Sequence, residues 1–200
     1  MGEPQKENDL FFTCSLIEYI ARKTKNTKKE VVQRLGEEKI SKIYNLAEVY
    51  HSENIEKVSD EFITSANIKI GQYDILSNCK YSIPTYWDVG KVYKRLILMV
   101  NHDENNYIKT LIEVLSSWII EKIDDYNSSM YYENPNYIYE CYIEGKILWC
   151  QWGRVNGDVS HWQLFVSFKT APNFILKLSI GRKIRFTTFT ILSNFIIHIK

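Results

Sequence analysis

Apolar residues recur every three or four positions along most of the chain up to residue 145, the spacing that places them on one face of a helix. The clearest runs begin near Asp9, Ile40 and Val89, and another spans residues 104–126. The pattern therefore predicts a mainly α fold, with about seven helices in this part of the chain.

Capping residues mark where several of these helices begin. Thr27 followed by Glu30 is a capping box, in which each side chain can bond a backbone amide that the helix leaves free. Asn54, Thr85 and Asn134 each stand before a helical pattern and can cap it in the same way. Two glycines are expected to end helices in the left-handed conformation, Gly36 and Gly145.

The pattern changes twice along the chain. Residues 67–84 lose helical periodicity and end at Pro84, which indicates a loop or linker. Beyond residue 145 the chain becomes rich in aromatic and β-branched residues. We therefore predict a four-helix unit over 1–66, a loop over 67–84, a second helical unit over 85–145, and a basic, aromatic-rich region over 146–200.

The C-terminal region carries one strong strand signal. Asn156-Gly157 is typical of a two-residue hairpin turn, and apolar residues alternate from Trp162 to Phe168. A β-hairpin here makes the chain α+β overall. Residues 174–199 suit strands, although a helical stripe also fits them. Residues 159–200 contain no acidic residue, so a tail translated out of frame is a second interpretation.

Charge is distributed unevenly along the chain. Residues 1–150 carry 18 Lys and Arg against 23 Asp and Glu, a net charge of −5, whereas residues 151–200 carry 7 against 1, a net charge of +6. The longest apolar-leaning stretch, Phe186 to Ile197, is well short of the roughly 20 residues that a spanning helix needs. No export signal or membrane anchor is apparent, so we expect a cytoplasmic location without membrane contact.

The residues that could carry chemistry are scattered. Four cysteines lie far apart without a Cys-x-x-Cys pair, and four histidines show no metal-ligand spacing. We therefore predict no metal, no cofactor and no enzymatic activity. His51, beside Ser52 and Glu53, is the one candidate for a general base, but a histidine that bonds the ends of two helices explains the same pattern.

Tyrosine is concentrated between residues 126 and 142, where six tyrosines stand among acidic residues. Tyrosine offers a large contact area and a polar tip, and it is enriched at protein interfaces. We predict a partner-binding surface made by five of these tyrosines, Tyr126, Tyr131, Tyr132, Tyr137 and Tyr139. The alternative is that they pack on tryptophans of the hairpin region, Trp149, Trp152 and Trp162.

A second kind of partner is suggested by the basic C-terminal region. Aromatic and cationic side chains together can stack bases and contact phosphates. The alternative function is therefore nucleic-acid binding through five residues, Trp152, Arg154, Arg182, Lys183 and Arg185. No established nucleic-acid motif accompanies them, and the oligomeric state is not indicated.

Residues 11–63 carry two short elements, Ile17-Glu18-Tyr19 and Val49-Tyr50-His51. With the helical pattern around them, these resemble a small bacterial domain of unknown function that is often encoded beside a predicted ADP-ribosyltransferase-like protein. The resemblance implies a toxin–antitoxin or defence locus and carries over no catalytic residue. We therefore expect a protein–protein interaction module, an antitoxin-like or accessory partner of a neighbouring enzyme.

Overall fold

The computed structural model describes residues 4–101 and 106–148, together with the backbone of four strands between residues 151 and 190. Up to residue 148, these described residues contain eight α-helices and one short 3₁₀ turn, Met130–Tyr132, so the fold is mainly helical as predicted. The helices are α1 Gln5–Thr24, α2 Lys28–Asn45, α3 Ala47–His51, α4 Ile55–Ser65, α5 Tyr86–Val100, α6 Tyr107–Leu115, α7 Trp118–Asp124 and α8 Pro135–Glu144.

The predicted helix starts are confirmed at four caps. The Thr27 hydroxyl accepts the backbone N–H of Glu30, and the Glu30 carboxylate accepts the backbone N–H of Thr27 in return. Asn54, Thr85 and Asn134 accept backbone N–H groups of α4, α5 and α8 through their side chains. These bonds join residues two or three positions apart, so the local sequence is sufficient to form them.

Three helix boundaries differ from the prediction. Gly36 adopts the expected positive φ, 70°, but it forms a kink within α2 rather than ending it. The helix predicted from Ile40 to Tyr50 is interrupted at Leu46, whose φ and ψ of −111° and 17° are not helical. The helix predicted over 104–126 is two helices, because the chain leaves the helical conformation at Ser117.

The core of the helical part is centred on α1, which makes its most extensive contacts with α5 and then with α2. The helices α1 and α5 approach closely where Gly90 faces Ser15. A Cβ built on Gly90 would lie 2.1 Å from Ser15 Oγ and 3.1 Å from Ser15 Cα, so only glycine fits this crossing. Helices from both predicted helical segments thus share one hydrophobic core.

The segment 67–84 has no regular secondary structure, but backbone and side-chain hydrogen bonds attach both of its halves to the helices. The backbone N–H groups of Gly71 and Tyr73 donate to the carbonyls of Thr24 and Lys25 at the end of α1, both at 2.8 Å. Near the other end, the Asn127 side chain bonds the backbone of two residues in the segment. The predicted loop is therefore a strap across the ends of α1 and α7.

The chain divides into two compact units, Met1–Gly145 and Lys146–Lys200. In the second, β1 Gln151–Arg154 pairs antiparallel with β2 Trp162–Phe165, and β3 Asn173–Ile180 pairs antiparallel with β4 Lys183–Thr190. The predicted turn, Asn156-Gly157, lies outside the described residues, so it stays a prediction. Within the described part, no helix combines the length and apolar character needed to cross a membrane.

Candidate functional site

Six polar side chains from four helices and one turn meet inside the helical unit. They form a cluster, here called the buried network, consisting of Glu18 and Arg22 on α1, Lys28 on α2, Tyr93 on α5, Asp124 on α7 and Tyr126 just after it. Five of these residues lie on helices and Tyr126 lies in the turn after α7, so folding brings together groups from distant parts of the sequence.

Lys28 lies at the centre of the buried network. Its Nζ is 2.8 Å from Glu18 Oε2 and 2.8 Å from Asp124 Oδ2. Its side chain is 1% exposed, and those of Glu18 and Asp124 are 0% and 2% exposed. The Tyr93 hydroxyl donates to the second oxygen of Asp124, Oδ1, at 2.5 Å.

Arg22 closes the other side of the buried network. Its Nε is 2.5 Å from Glu18 Oε1, and two further nitrogens donate to the Tyr126 hydroxyl at 3.0 Å and to the Pro84 carbonyl at 2.8 Å. The Tyr126 hydroxyl in turn donates to Glu18 Oε1 at 3.2 Å. Arg22 therefore joins α1 to the end of the strap and to Tyr126.

The charges of the buried network balance, because two carboxylates face two cations. Burial acts to raise the pKa of both carboxyls, but Lys28 and Arg22 together outweigh it at Glu18 and lower the pKa of that group. At Asp124, burial prevails over Lys28, and the pKa is raised. Every buried side-chain nitrogen and oxygen among the described residues has a hydrogen-bond partner. The buried network is thus self-contained and suited to holding helices together.

A groove on the surface contains two of the predicted tyrosines. This Tyr132 groove has a volume of about 280 Å³ and lies between α5 and residues 131–138. Its lining includes apolar side chains, Val92, Leu96 and Ile138, of which Leu96 and Ile138 are buried. It also includes charged and aromatic groups, from Asp88, Lys91, Arg95, Tyr131, Tyr132 and Glu133.

The aromatic wall of the Tyr132 groove is connected to the buried network. The rings of Tyr126 and Tyr131 meet edge to face with centroids 5.6 Å apart, and those of Tyr131 and Tyr132 do so at 4.9 Å. Tyr132 is the outermost of the three and is 59% exposed, whereas Tyr126 is 2% exposed. The row of three rings is therefore buried at Tyr126 and accessible at Tyr132.

The cations of the Tyr132 groove differ in how they are paired. Asp88 accepts the Thr85 hydroxyl at 2.6 Å and lies 3.5 Å from Lys91, and these contacts, the Thr85 bond foremost, lower its pKa. Arg95 is exposed and forms no ion pair with any described residue. Within the described part of the chain, the groove thus presents one guanidinium without an ion-pair partner beside apolar side chains.

The predicted tyrosine surface is therefore only partly formed. Tyr126 is wrong as a contact residue, because it is buried with its hydroxyl in the buried network. Tyr131 and Tyr132 line the groove, while Tyr137 and Tyr139 are half-buried on α8 and do not line it. The alternative, that these tyrosines pack on Trp149, Trp152 and Trp162, involves tryptophan side chains that lie outside the described part of the chain, so it stays a prediction.

The residues predicted for nucleic-acid binding fall on the second unit. Trp152 and Arg154 belong to β1, where they pair with Leu164 and Trp162. Lys183 and Arg185 belong to β4 and pair with Ile180 and Leu178, while Arg182 lies outside the described residues. The structure does not describe the side chains of these residues, so nucleic-acid binding through them stays a prediction.

His51 ends α3 and is exposed. Its ring packs edge to face on Phe12 and on Trp87, with centroids 5.6 Å and 5.7 Å away. Among the described residues, no group of three or more His, Cys, Asp and Glu could hold a metal ion. The ring contacts give His51 a packing role between α1, α3 and α5.

The buried network is the feature that sequence reasoning missed. Glu18 and Arg22 stand four positions apart on one helix, which is a visible signal for an ion pair. Lys28 and Asp124 are separated by 96 positions, and no local pattern connects them.

Comparisons with protein-family models, with curated proteins and with solved structures find no match for this chain.

Proposed function

We propose that the protein is a protein–protein interaction module and that the Tyr132 groove is its contact surface. The single observation that carries this proposal is the exposed ring of Tyr132 beside a cavity that is also lined by the apolar side chains of Leu96 and Ile138. Aromatic anchors next to apolar pockets are where binding energy concentrates at protein interfaces. The partner buries an apolar side chain between Leu96 and Ile138 and covers Tyr132.

Arg95 indicates the chemistry of the partner segment. Its guanidinium lies at the edge of the groove without an ion pair to a described residue. Arginine and carboxylate form paired, charge-assisted hydrogen bonds, and these gain strength when a partner excludes water. The segment that docks in the groove therefore carries an Asp or Glu next to its apolar anchor.

The biological setting of this proposal comes from the sequence. The resemblance over residues 11–63 favours an antitoxin-like or accessory partner of a neighbouring enzyme in a bacterial toxin–antitoxin or defence locus. A cytoplasmic location and the absence of enzymatic activity belong to the same proposal and rest on the sequence alone.

The test is affinity capture from the native host with the tagged full chain, treated with nuclease and analysed by mass spectrometry. We expect a stoichiometric protein to be retained by the wild type and lost with Tyr132→Ala or Arg95→Glu. Tyr81→Ala is the matched control, because Tyr81 is similarly exposed, 65% against 59% for Tyr132, and lies in the strap.

Two outcomes would contradict the proposal. The first is equal capture by wild type and both groove variants while all variants keep the wild-type melting temperature. The second is loss of the same protein with Tyr81→Ala, because the effect would then not be specific to the groove.

Nucleic-acid binding is the second candidate, and the net charge of +6 over residues 151–200 favours it. Binding through phosphate contacts releases counterions, so affinity should fall steeply as salt is raised. Recovery of nucleic acid that is sensitive to nuclease and to salt would support this candidate. Negligible affinity for DNA and RNA at low salt would remove it.

A further inference from the structure

A second cavity lies between the first turns of α1 and the short helix α3. It has a volume of about 430 Å³, and its lining residues include Asp9, Phe11, Phe12, Glu48 and His51. We call it the Asp9 cleft. It shares no lining residue with the Tyr132 groove.

The described lining of the Asp9 cleft carries only negative charge. Among the residues that the structure describes, Asp9 and Glu48 both line it, and no lysine or arginine does. Neither carboxylate forms an ion pair with a described residue. The side-chain hydrogen bond from Gln5 Nε2 to Glu48 Oε2, at 3.2 Å, comes from a neutral amide and leaves the negative charge of Glu48 without a counterion among the described residues. Burial and, secondly, the charge of Glu48 raise the pKa of Asp9, as expected for two carboxylates that line the same cavity.

The walls of the Asp9 cleft are aromatic. Phe11 and Phe12 line it from α1, and both rings also contact Trp87, with centroids 5.5 Å and 6.3 Å away. His51 lines it from α3 and is held edge to face between Phe12 and Trp87. Phe12 is 2% exposed, so the rings that an occupant can reach are those of Phe11, which is half-buried, and His51, which is exposed. An accessible phenyl face such as that of Phe11 attracts a cation, and this attraction is strongest where water is excluded.

We propose that the Asp9 cleft binds a basic side chain, arginine or lysine, of a partner protein. A long basic side chain matches both parts of the cleft, because its aliphatic stem can lie on the aromatic rings while its charged head meets the two carboxylates. An apolar occupant would leave both carboxylates desolvated without a counterion. A metal ion is not the occupant that this geometry favours, because no three His, Cys, Asp or Glu side chains among the described residues are placed together to bind one.

The Asp9 cleft is separate from the Tyr132 groove, and binding to it can be tested without knowledge of the partner. The probes are three acetylated, amidated pentapeptides that carry arginine, lysine or citrulline between glycines. Each peptide is titrated into the isotope-labelled full chain, and binding is followed by NMR. We expect saturable shifts of the His51 and Trp87 ring signals with the arginine and lysine peptides. The citrulline peptide, which has the arginine shape without its charge, should produce none.

Substitutions that replace the two carboxylates of the cleft with amides test whether the peptides bind there. Asp9→Asn with Glu48→Gln should weaken the affinity for the arginine peptide by about tenfold or more, which corresponds to the loss of two charge contacts. Glu37→Gln with Glu38→Gln is the matched control, because it changes the net charge equally at two exposed positions of α2. Tyr132→Ala should leave binding unchanged, so failure of this inference is distinguishable from failure of the groove.

Four results would overturn the inference. They are the absence of saturable shifts with the arginine peptide, equal binding of the citrulline peptide, equal weakening by the α2 control, and an affinity for free agmatine as high as that for the arginine peptide. The last result would assign the cleft to a small organic cation rather than to a protein side chain. The melting temperature of each variant confirms that the fold is retained.

Discussion

Lys28 and Asp124 form an ion pair in the protein interior, with 2.8 Å between Nζ and Oδ2, although 96 positions separate them in the sequence. The pair links the start of α2 to the end of α7, and Glu18 on α1 bonds the same lysine. A buried charge is costly unless it is paired, so each member depends on the others. The pair therefore selects one arrangement of three helices.

Removal of the central cation should destabilise the fold strongly. Lys28→Met leaves the Glu18 and Asp124 carboxylates buried without their shared partner, and we expect a loss of about 3–5 kcal/mol in the free energy of unfolding. Urea denaturation followed by circular dichroism measures it. Lys29→Met, at the exposed neighbouring position, should change stability by no more than about 0.5 kcal/mol. Similar stability of the two variants would contradict a dependence on the buried charge.

The two buried carboxyls should respond to acid in opposite directions. The pKa of Glu18 is lowered from its ordinary value of 4.5, so its contribution to stability is present above pH 4.5 and is lost as the pH falls through the folded-state pKa. The destabilisation caused by Glu18→Gln should therefore shrink below pH 4.5.

The pKa of Asp124 is raised from its ordinary value of 3.8, so the folded state takes up this proton before the unfolded state does. Acidification toward pH 3.8 then stabilises the wild type relative to Asp124→Asn, and the destabilisation caused by that variant should grow. Urea denaturation of wild type and both variants between pH 7 and about 3 tests both trends. The same pH trend in both variants would refute the opposite pKa directions.

The crossing of α1 and α5 should tolerate no side chain at Gly90. Alanine is the better helix former, but its Cβ would overlap Ser15, so we expect Gly90→Ala to lose about 1–3 kcal/mol of stability. Combining it with Ser15→Gly removes the overlapping Oγ and Cβ. The double variant should lose less free energy of unfolding than the two single variants lose together. Strict additivity of the two losses would argue against the close contact.

The strap should open locally when its attachment is blocked. A Cβ on Gly71 would lie 2.5 Å from the Lys25 carbonyl oxygen and 2.3 Å from Asn26 Oδ1, so Gly71→Ala cannot keep the bond from the Gly71 N–H to Thr24. We expect faster proteolytic cleavage within residues 67–84 while the helical circular dichroism signal persists. Gln72→Ala, at the exposed adjacent position, is the control and should be cleaved at the wild-type rate.

The helix starts could be predicted because their determinants are local. The Thr27 and Glu30 side chains each bond the other's backbone, and that geometry follows from a spacing of three residues. The helix ends were harder to predict. Gly36 has a positive φ of 70°, but its ψ of 168° is not that of a left-handed helix stop, and the chain resumes a helix at once. The residues around Ser117 carry no breaker stronger than two serines.

The tyrosine-rich segment shows where sequence reasoning reached its limit. Its composition indicated an interface, but Tyr126 and Tyr132 are indistinguishable by composition, and one is 2% exposed while the other is 59% exposed. The difference arises because Tyr126 follows α7 closely enough to reach Arg22 and Glu18 on α1, and Tyr132 lies beyond the turn.

Local sequence patterns were sufficient to predict which segments of the first 145 residues are helical and where most of them begin, because caps and apolar stripes act between residues a few positions apart. Which polar residues meet depends instead on how the helices pack. Lys28 reaches Asp124, Arg22 reaches Tyr126, and Asp9 comes to share a cleft with Glu48 once the helices have packed. Packing is directed by the whole apolar surface of each helix, so the partners of a single charged residue follow from the fold rather than from its neighbours in the chain.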